Sequence, residues 1–450
     1  METTEELSRF VVETRFEAIP NAVTERAKEL FVDALGAAML GSSMPVTKKL
    51  AAYYGRKKSI KGEATAIGCG LLTSVEDATL INGTSLHSTE LEAVPMRGEQ
   101  QPAFTAFAAL AMAEMLGLSG KDILEAFILG FEVHGRLSAN AHGIPAKGGW
   151  GCVTGTLGAA ASAGKMLKLN TEQMRMALGF ASSQAGGLIE HVGTMAHFAE
   201  LGIAIGHGVR SALWVKEGLT AMLDVIENRK GFCRFYAGEG GYDLEEMTRG
   251  LGSGSFYITD PGVSIKKYPC CFRTHRAVDA ALEILQENNV SYEDVAEMQV
   301  DENLYDRSLL KYSEPTSGGE GRFSMEHCLA AALVDGRIDE ATFSTGKIGD
   351  LKEARAKINV IVHPEWPPER GAARTPVVIR LKNGKEYFRE LDKPRDPTRE
   401  EILDRYRVNA TEVLSEKDAQ STAEKIMELE NVMNIRAFME LIRGGGPSKN

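Results

Sequence analysis

Three stretches of this chain set histidine near carboxylates or cations in arrangements suited to chemistry. In NGTSLHSTELEAVPMRGEQQPAF, residues 82–104, His87 precedes Glu90 by three residues and Glu92 follows. On a helix that spacing puts imidazole and carboxylate on one face, where the acid raises the basicity of the ring and orients it for proton transfer. His197 and Glu200 repeat the spacing in GTMAHFAELGIAIGHG, which predicts a second pair on a helical face with Glu200 orienting His197. His207, between two glycines of the same stretch, reads as a residue of the polar edge. The third place is SIKKYPCCFRTHRAVDAALEIL. There Pro269 halts any preceding helix, Cys270 and Cys271 follow, and Arg273, His275 and Arg276 lead into an amphipathic helix that Thr274 could cap. A helix start flanked by lysine and arginine suits a carboxylate ligand.

Other chemistries lack their signatures. There is no GxxxxGK[ST], no HExxH, no GxSxG, and no GxGxxG between a strand and a helix, and the run GEGGYD lacks that context. No group of histidines and carboxylates has metal-ligand spacing, so neither a metal nor a nucleotide cofactor is expected. The six cysteines, at 69, 152, 233, 270, 271 and 328, match neither a disulfide framework nor a zinc site and read as reduced thiols. Lys and Arg number 51 against 62 Asp and Glu, a formal charge of -11, and such a field repels polyanions, so nucleic acid is not an expected partner. The start, METTEELSRFVVETRF, has no signal-peptide pattern. FTAFAALAMAEML falls short of the ~20 apolar residues of a membrane span, and the chain is expected to be cytoplasmic.

The elements that must position these residues are mostly helical up to residue 260. Apolar positions three and four apart mark RAKELFVDALGAAML, TAFAALAMAEMLG, KDILEAFILGFEVHGRL, TEQMRMALGFASSQAGG and GVRSALWVKEGL as helices. Gly117, Ser119 and Asn170 or Thr171 punctuate them, and the small residues of GTLGAAASAGK and GFASSQAGGL predict close helix crossings. From about 265 to 400 helices alternate with β-branched runs. VAEMQVDEN and KINVIVHPE read as strands, and TPVVIRLKNGKEYFREL as a hairpin turning at Asn383-Gly384 in a type I′ turn. Helix returns in STAEKIMELENVMNIRAFMELIR, expected to pack back on the first domain, before a Gly-rich tail expected to fray. The fold expected is therefore mainly α, with an all-helical domain of residues 1–262 and 403–450 and an inserted α+β domain of residues 263–402.

In order along the chain, FVDALGAAMLG, NGTSLH, GTLGAAASAGKMLKLN with ALGFASSQAGGL, GFCRFYAG, IKKYPCCFRTHRAVDAALE, RFSMEHCLAAAL, and HPEW with the KNG hairpin resemble the MmgE/PrpD family. Its members include 2-methylcitrate dehydratase, cis-aconitate decarboxylase and iminodisuccinate epimerase. The resemblance implies a large helical domain, a smaller α+β domain with the active site in a cleft between them, a homodimer, and proton transfer at a carbon next to a carboxylate. The site residues depart from the family pattern. His87 is kept, but Glu90 and Glu92 stand for aspartates, Ala93 and Val94 for an acid and a hydroxyl, and Gln101 for a histidine. Gly151-Cys152 replaces a His-Pro, His197 and Glu200 replace a lysine and a histidine, and His327 replaces a tyrosine. Lys266, Cys270, Cys271 and His275 are retained.

Such a set implies altered chemistry at a rewritten site. His87, Glu90, His197 and His275 are the expected acid–base groups, with Arg97, Gln101, Glu200, Lys266, Arg273 and His327 expected to bind substrate around the same cavity. The expected activity is that of a lyase of the hydratase or dehydratase type on a small carboxylic acid. An epimerase of a small dicarboxylic acid, or a non-catalytic dimer that kept the fold, are the alternatives.

Overall fold

The computed structural model describes residues 2–57, 62–99, 101–367 and 374–444. The tail expected to fray, 445–450, lies outside them. The fold is mainly α and divides into two compact units: residues 1–190, 196–265 and 398–450 form the first, and 191–195 with 266–397 the second.

In the first unit the helices that matter for the site are α1 (Asn21–Gly41), α2 (Val75–His87), α3 (Ala103–Leu116), α4 (Gly120–Asn140), α5 (Cys152–Met166), α6 (Thr171–Gln184) and α7 (Met195–Lys216). Their ends follow the punctuation in the sequence. Gly117 takes φ 70° after α3, Ser119 and Asp122 cap α4 reciprocally, and Asn170 does the same with Gln173 for α6. α3 and α5 are buried along almost their whole length because they carry little but alanine, glycine and larger apolar residues. Small residues also set how closely helices cross. A Cβ on Gly158 of α5 would stand 2.6 Å from the Cβ of His134 on α4, and one on Gly202 of α7 would stand 2.0 Å from the carbonyl oxygen of Leu80 on α2.

The predicted C-terminal helix is broken into Glu416–Met427 and Arg436–Ile442, with a 3-10 turn at Leu429–Asn431. It does pack on the helical unit: Lys28 of α1 lies 2.9 Å from Glu430, and the Gly120 amide donates to the Val432 carbonyl.

The second unit is built on a four-stranded sheet of β3 (Val295–Asn303), β4 (Ile358–His363), β5 (Val377–Leu381) and β6 (Glu386–Arg389), in the order β4-β3-β5-β6. β1 (Val94–Pro95) and β2 (Val263–Ser264) form a separate short antiparallel pair in the first unit. β3 and β4 run parallel, and the crossover between them carries helix α9 (Met325–Asp335). α8 (His275–Glu287) packs on β5 and β6, and α9 on α8 and β4. Two sequence expectations change here. The β5–β6 loop is a three-residue type, with the Gly384 amide donating to the Leu381 carbonyl and φ 85° at Gly384 alone, so Asn383 is not asked for the positive φ of a type I′ turn. Thr274 precedes α8 in helical conformation without capping it, because its hydroxyl donates to the Cys271 carbonyl.

Among the described residues no single helix is long and apolar enough to cross a membrane. All six cysteines are free thiols, five of them buried.

Candidate functional site: a two-histidine, two-glutamate cluster

α2 and α7 deliver the cluster. The crossing at Gly83 and Gly202, where a Cβ on Gly83 would lie 2.8 Å from the Cα of Gly202, brings the last residue of α2 against the first turn of α7. These residues are His87 and His197, and their ring centroids are 4.7 Å apart. Substituting either glycine by a larger residue would push the two imidazoles apart.

Glu90 is not on the helix, as its spacing from His87 had suggested. α2 ends at His87, Ser88 and Thr89 turn, and Glu90 takes a left-handed φ of 55° with its amide donating to the His87 carbonyl at 3.1 Å. A non-glycine residue in that region carries strain of order 1 kcal/mol or more, which surrounding structure must hold. Here the turn returns the Glu90 carboxylate to the histidines: Oε1 lies 3.9 Å from His87 Nε2 and 3.7 Å from His197 Nε2. On the far side of the His87 ring, Glu92 Oε2 stands 3.4 Å from Nδ1. The four residues are at most 5% exposed.

Trp150 closes the cluster with its indole. It stacks on His87 at 5.2 Å and 18°, and its centroid is 4.9 Å from that of His197. The indole Nε1 donates to Glu200 Oε2 at 2.8 Å, and Glu200 Oε1 accepts from the Leu188 amide at 3.1 Å. Glu200 therefore holds Trp150, and the direct orientation of His197 expected of it falls to Glu90. An i,i+3 spacing fixes a face but not which neighbour the side chain meets. Burial pushes the His197 imidazole below its ordinary value, with His87 adding to the effect and Glu90 opposing it. The ring is then neutral near pH 7, the form that accepts a proton.

The remaining expected residues are spread over both units. In the first, Gln101 packs against Gly151, next to Trp150: a Cβ there would come within 2.3 Å of the Gln101 Oε1. Arg97 is exposed, with Nη2 3.4 Å from Asn140 Oδ1. In the second unit Lys266 is buried. His275 places Nε2 3.3 Å from the Cys270 carbonyl oxygen, with its ring against Tyr268 and Phe272. Arg273 pairs with buried Asp306 at 2.8 Å and lies over the Tyr305 ring. This pairing holds the guanidinium within its own unit. His327 is buried in the same unit. Its Nε2 lies 3.0 Å from the Thr342 carbonyl oxygen and its Nδ1 3.3 Å from Arg355, and burial holds it down to about 4. That is the setting of a core histidine.

One part of the site escaped the reading of the sequence. Nothing in the spacing of Trp150 reveals an indole laid on His87.

Comparison with known proteins agrees with this architecture. The profile of the MmgE/PrpD N-terminal domain matches residues 5–245, and that of the MmgE/PrpD C-terminal domain matches residues 268–431. The chain is similar to cis-aconitate decarboxylase of Homo sapiens, 27% identical over 456 residues that cover 95% of this chain and 92% of the relative. It is similar to the cis-aconitate decarboxylase of Aspergillus terreus (strain NIH 2624 / FGSC A1156), 28% identical with 94% and 92% covered. With both family domains matched in order over most of its length, the chain belongs to the MmgE/PrpD family.

Proposed function

We propose that the chain is a lyase of the hydratase or dehydratase type that acts on a small carboxylic acid by moving a proton at the carbon next to a carboxylate. The observation that carries this reading is the convergence of His87, Glu90 and His197 in one buried cluster. One imidazole takes the proton from carbon, and the electron pair left behind forms the double bond. The other gives a proton to the departing hydroxyl, which leaves as water. Glu90, within 4 Å of both rings, stabilises whichever becomes imidazolium. Trp150 and Phe198 wall the cluster with apolar surface, where such charge interactions are stronger than in water.

The placement of the two histidines side by side favours elimination over epimerisation, since inversion at carbon needs proton carriers on opposed faces. The relatives named as cis-aconitate decarboxylases support a lyase as the broader class and make loss of carbon dioxide the competing outcome.

The test is incubation of the full chain with a panel of small hydroxy di- and tricarboxylic acids in deuterated water. Deuterium entering the carbon next to a carboxylate, together with an ultraviolet-absorbing alkene and no carbon dioxide, is the expected result. Carbon dioxide release would reassign it as a decarboxylase, and deuterium without alkene as an epimerase. Neither deuterium nor alkene with any acid that binds would leave a binding protein.

A further inference from the structure

We infer that His87, Glu90 and His197 form a binding site for one divalent first-row transition ion of the zinc type. One donor atom from each of the three lies within 4.8 Å of the others, and all three side chains are buried. The sequence did not predict this, because His87 and His197 lie 110 positions apart and the spacing rules for metal ligands read only local runs. The crossing of α2 and α7 creates the proximity, and the left-handed turn at Glu90 supplies the third donor.

The geometry suits an ion of that size. Zinc bonds to histidine nitrogen and carboxylate oxygen are about 2.0–2.2 Å, so neighbouring donors in a tetrahedral site stand about 3.4 Å apart. Glu90 Oε1 is 3.7 Å from one imidazole Nε2 and 3.9 Å from the other, so closing by a few tenths of an ångström would bring the carboxylate into range of both rings, whose donor nitrogens are no more than 4.8 Å apart. The donor set, two imidazoles and one carboxylate, is one that zinc, iron(II) and related ions accept, and magnesium and calcium, which prefer oxygen ligands, do not.

The surroundings add a second observation. A histidine that binds metal through one nitrogen typically has its other nitrogen held by a carboxylate, which fixes the tautomer and aims the free lone pair. Glu92 Oε2 stands 3.4 Å from His87 Nδ1, on the far side of the ring from Glu90. Trp150, anchored by Glu200, stacks on the same ring and restricts its rotation.

Binding is a property of the donor set and does not depend on the proposed lyase chemistry. Its consequence does rest on that reading: an ion held by Nε2 of His87, Nε2 of His197 and Oε1 of Glu90 occupies the groups that would move protons, so zinc would suppress turnover reversibly.

The experiment is titration of the full chain, first stripped with chelator, with zinc chloride in a calorimeter, and with cobalt(II) followed by visible absorption. One ion per chain is expected, with a cobalt spectrum of nitrogen and oxygen ligation free of a thiolate charge-transfer band. His197→Gln and Glu90→Gln, each checked for folding by circular dichroism, should abolish it. Glu92→Gln, which leaves all three donors in place, should weaken it by about 10–100-fold. No binding by the parent, or binding that survives His197→Gln, would overturn the inference. Binding as described without any effect on a measured turnover would uphold the site and count against the acid–base reading, so the two claims fail separately.

Discussion

Glu302 shows at the scale of a single residue what burial without a full set of partners does. It is completely buried on β3, 3.6 Å from Arg307. Burial raises its carboxyl to about 8; Arg307 opposes that, and Asp306 and Glu326 add to it. Its folded value lies above the ordinary 4.5, so the folded state holds a proton that the unfolded chain has released. The stability from Glu302 is thus fully present below pH 4.5 and is lost as pH rises towards 8, with a slope of at most about 1.4 kcal/mol per pH unit. Between pH 5 and pH 8.5 the parent should lose melting temperature, and Glu302→Gln should lose less; equal slopes would show that the carboxyl ionises freely in the fold. The residue types at the cluster were legible because imidazole and carboxylate are chemically distinctive. Their partners were not: Glu200 could as well have faced His197 as Trp150, and only packing decides that it holds the indole.

Helix crossings are the element-scale cause of the site. α2 and α7 can meet at Gly83 and Gly202 because neither has a side chain there, and the ends of both helices then overlap. Gly202→Ala would place a Cβ 2.0 Å from the Leu80 carbonyl oxygen. Backbone cannot yield that much without separating the helices. The expected cost is about 1–3 kcal/mol, as for other overpacked cores, with a larger proportional loss of activity than of stability. A variant with parent activity would mean that the crossing does not set the cluster. Helices and strands themselves could be read from periodicity, down to the bounds Val295–Asn303 of β3. What periodicity could not show was the end of α2 at His87: SLHSTELE continues a helical pattern, and the turn at Glu90 comes from the way tertiary contacts hold its backbone.

For the whole molecule, the order of motifs along the chain carried the family, and two matched domains confirm it. The homodimer implied by the resemblance remains a prediction. Ile203, Trp214, Leu219 and Met222 leave large apolar surfaces exposed on the first unit, and sedimentation equilibrium should return twice the 48.8 kDa chain mass, a single-chain mass being the contrary result. The central claim, that a cluster built from His87, Glu90 and His197 moves protons to and from carbon, is tested most directly by the rate of deuterium entry into substrate in the parent, in His197→Gln and in His197→Lys. Both variants should fold and bind the acid, and exchange should fall by about 10²–10⁴, the usual loss for a positioned acid or base. Exchange at the parent rate in both would show that His197 only packs, and would contradict the claim.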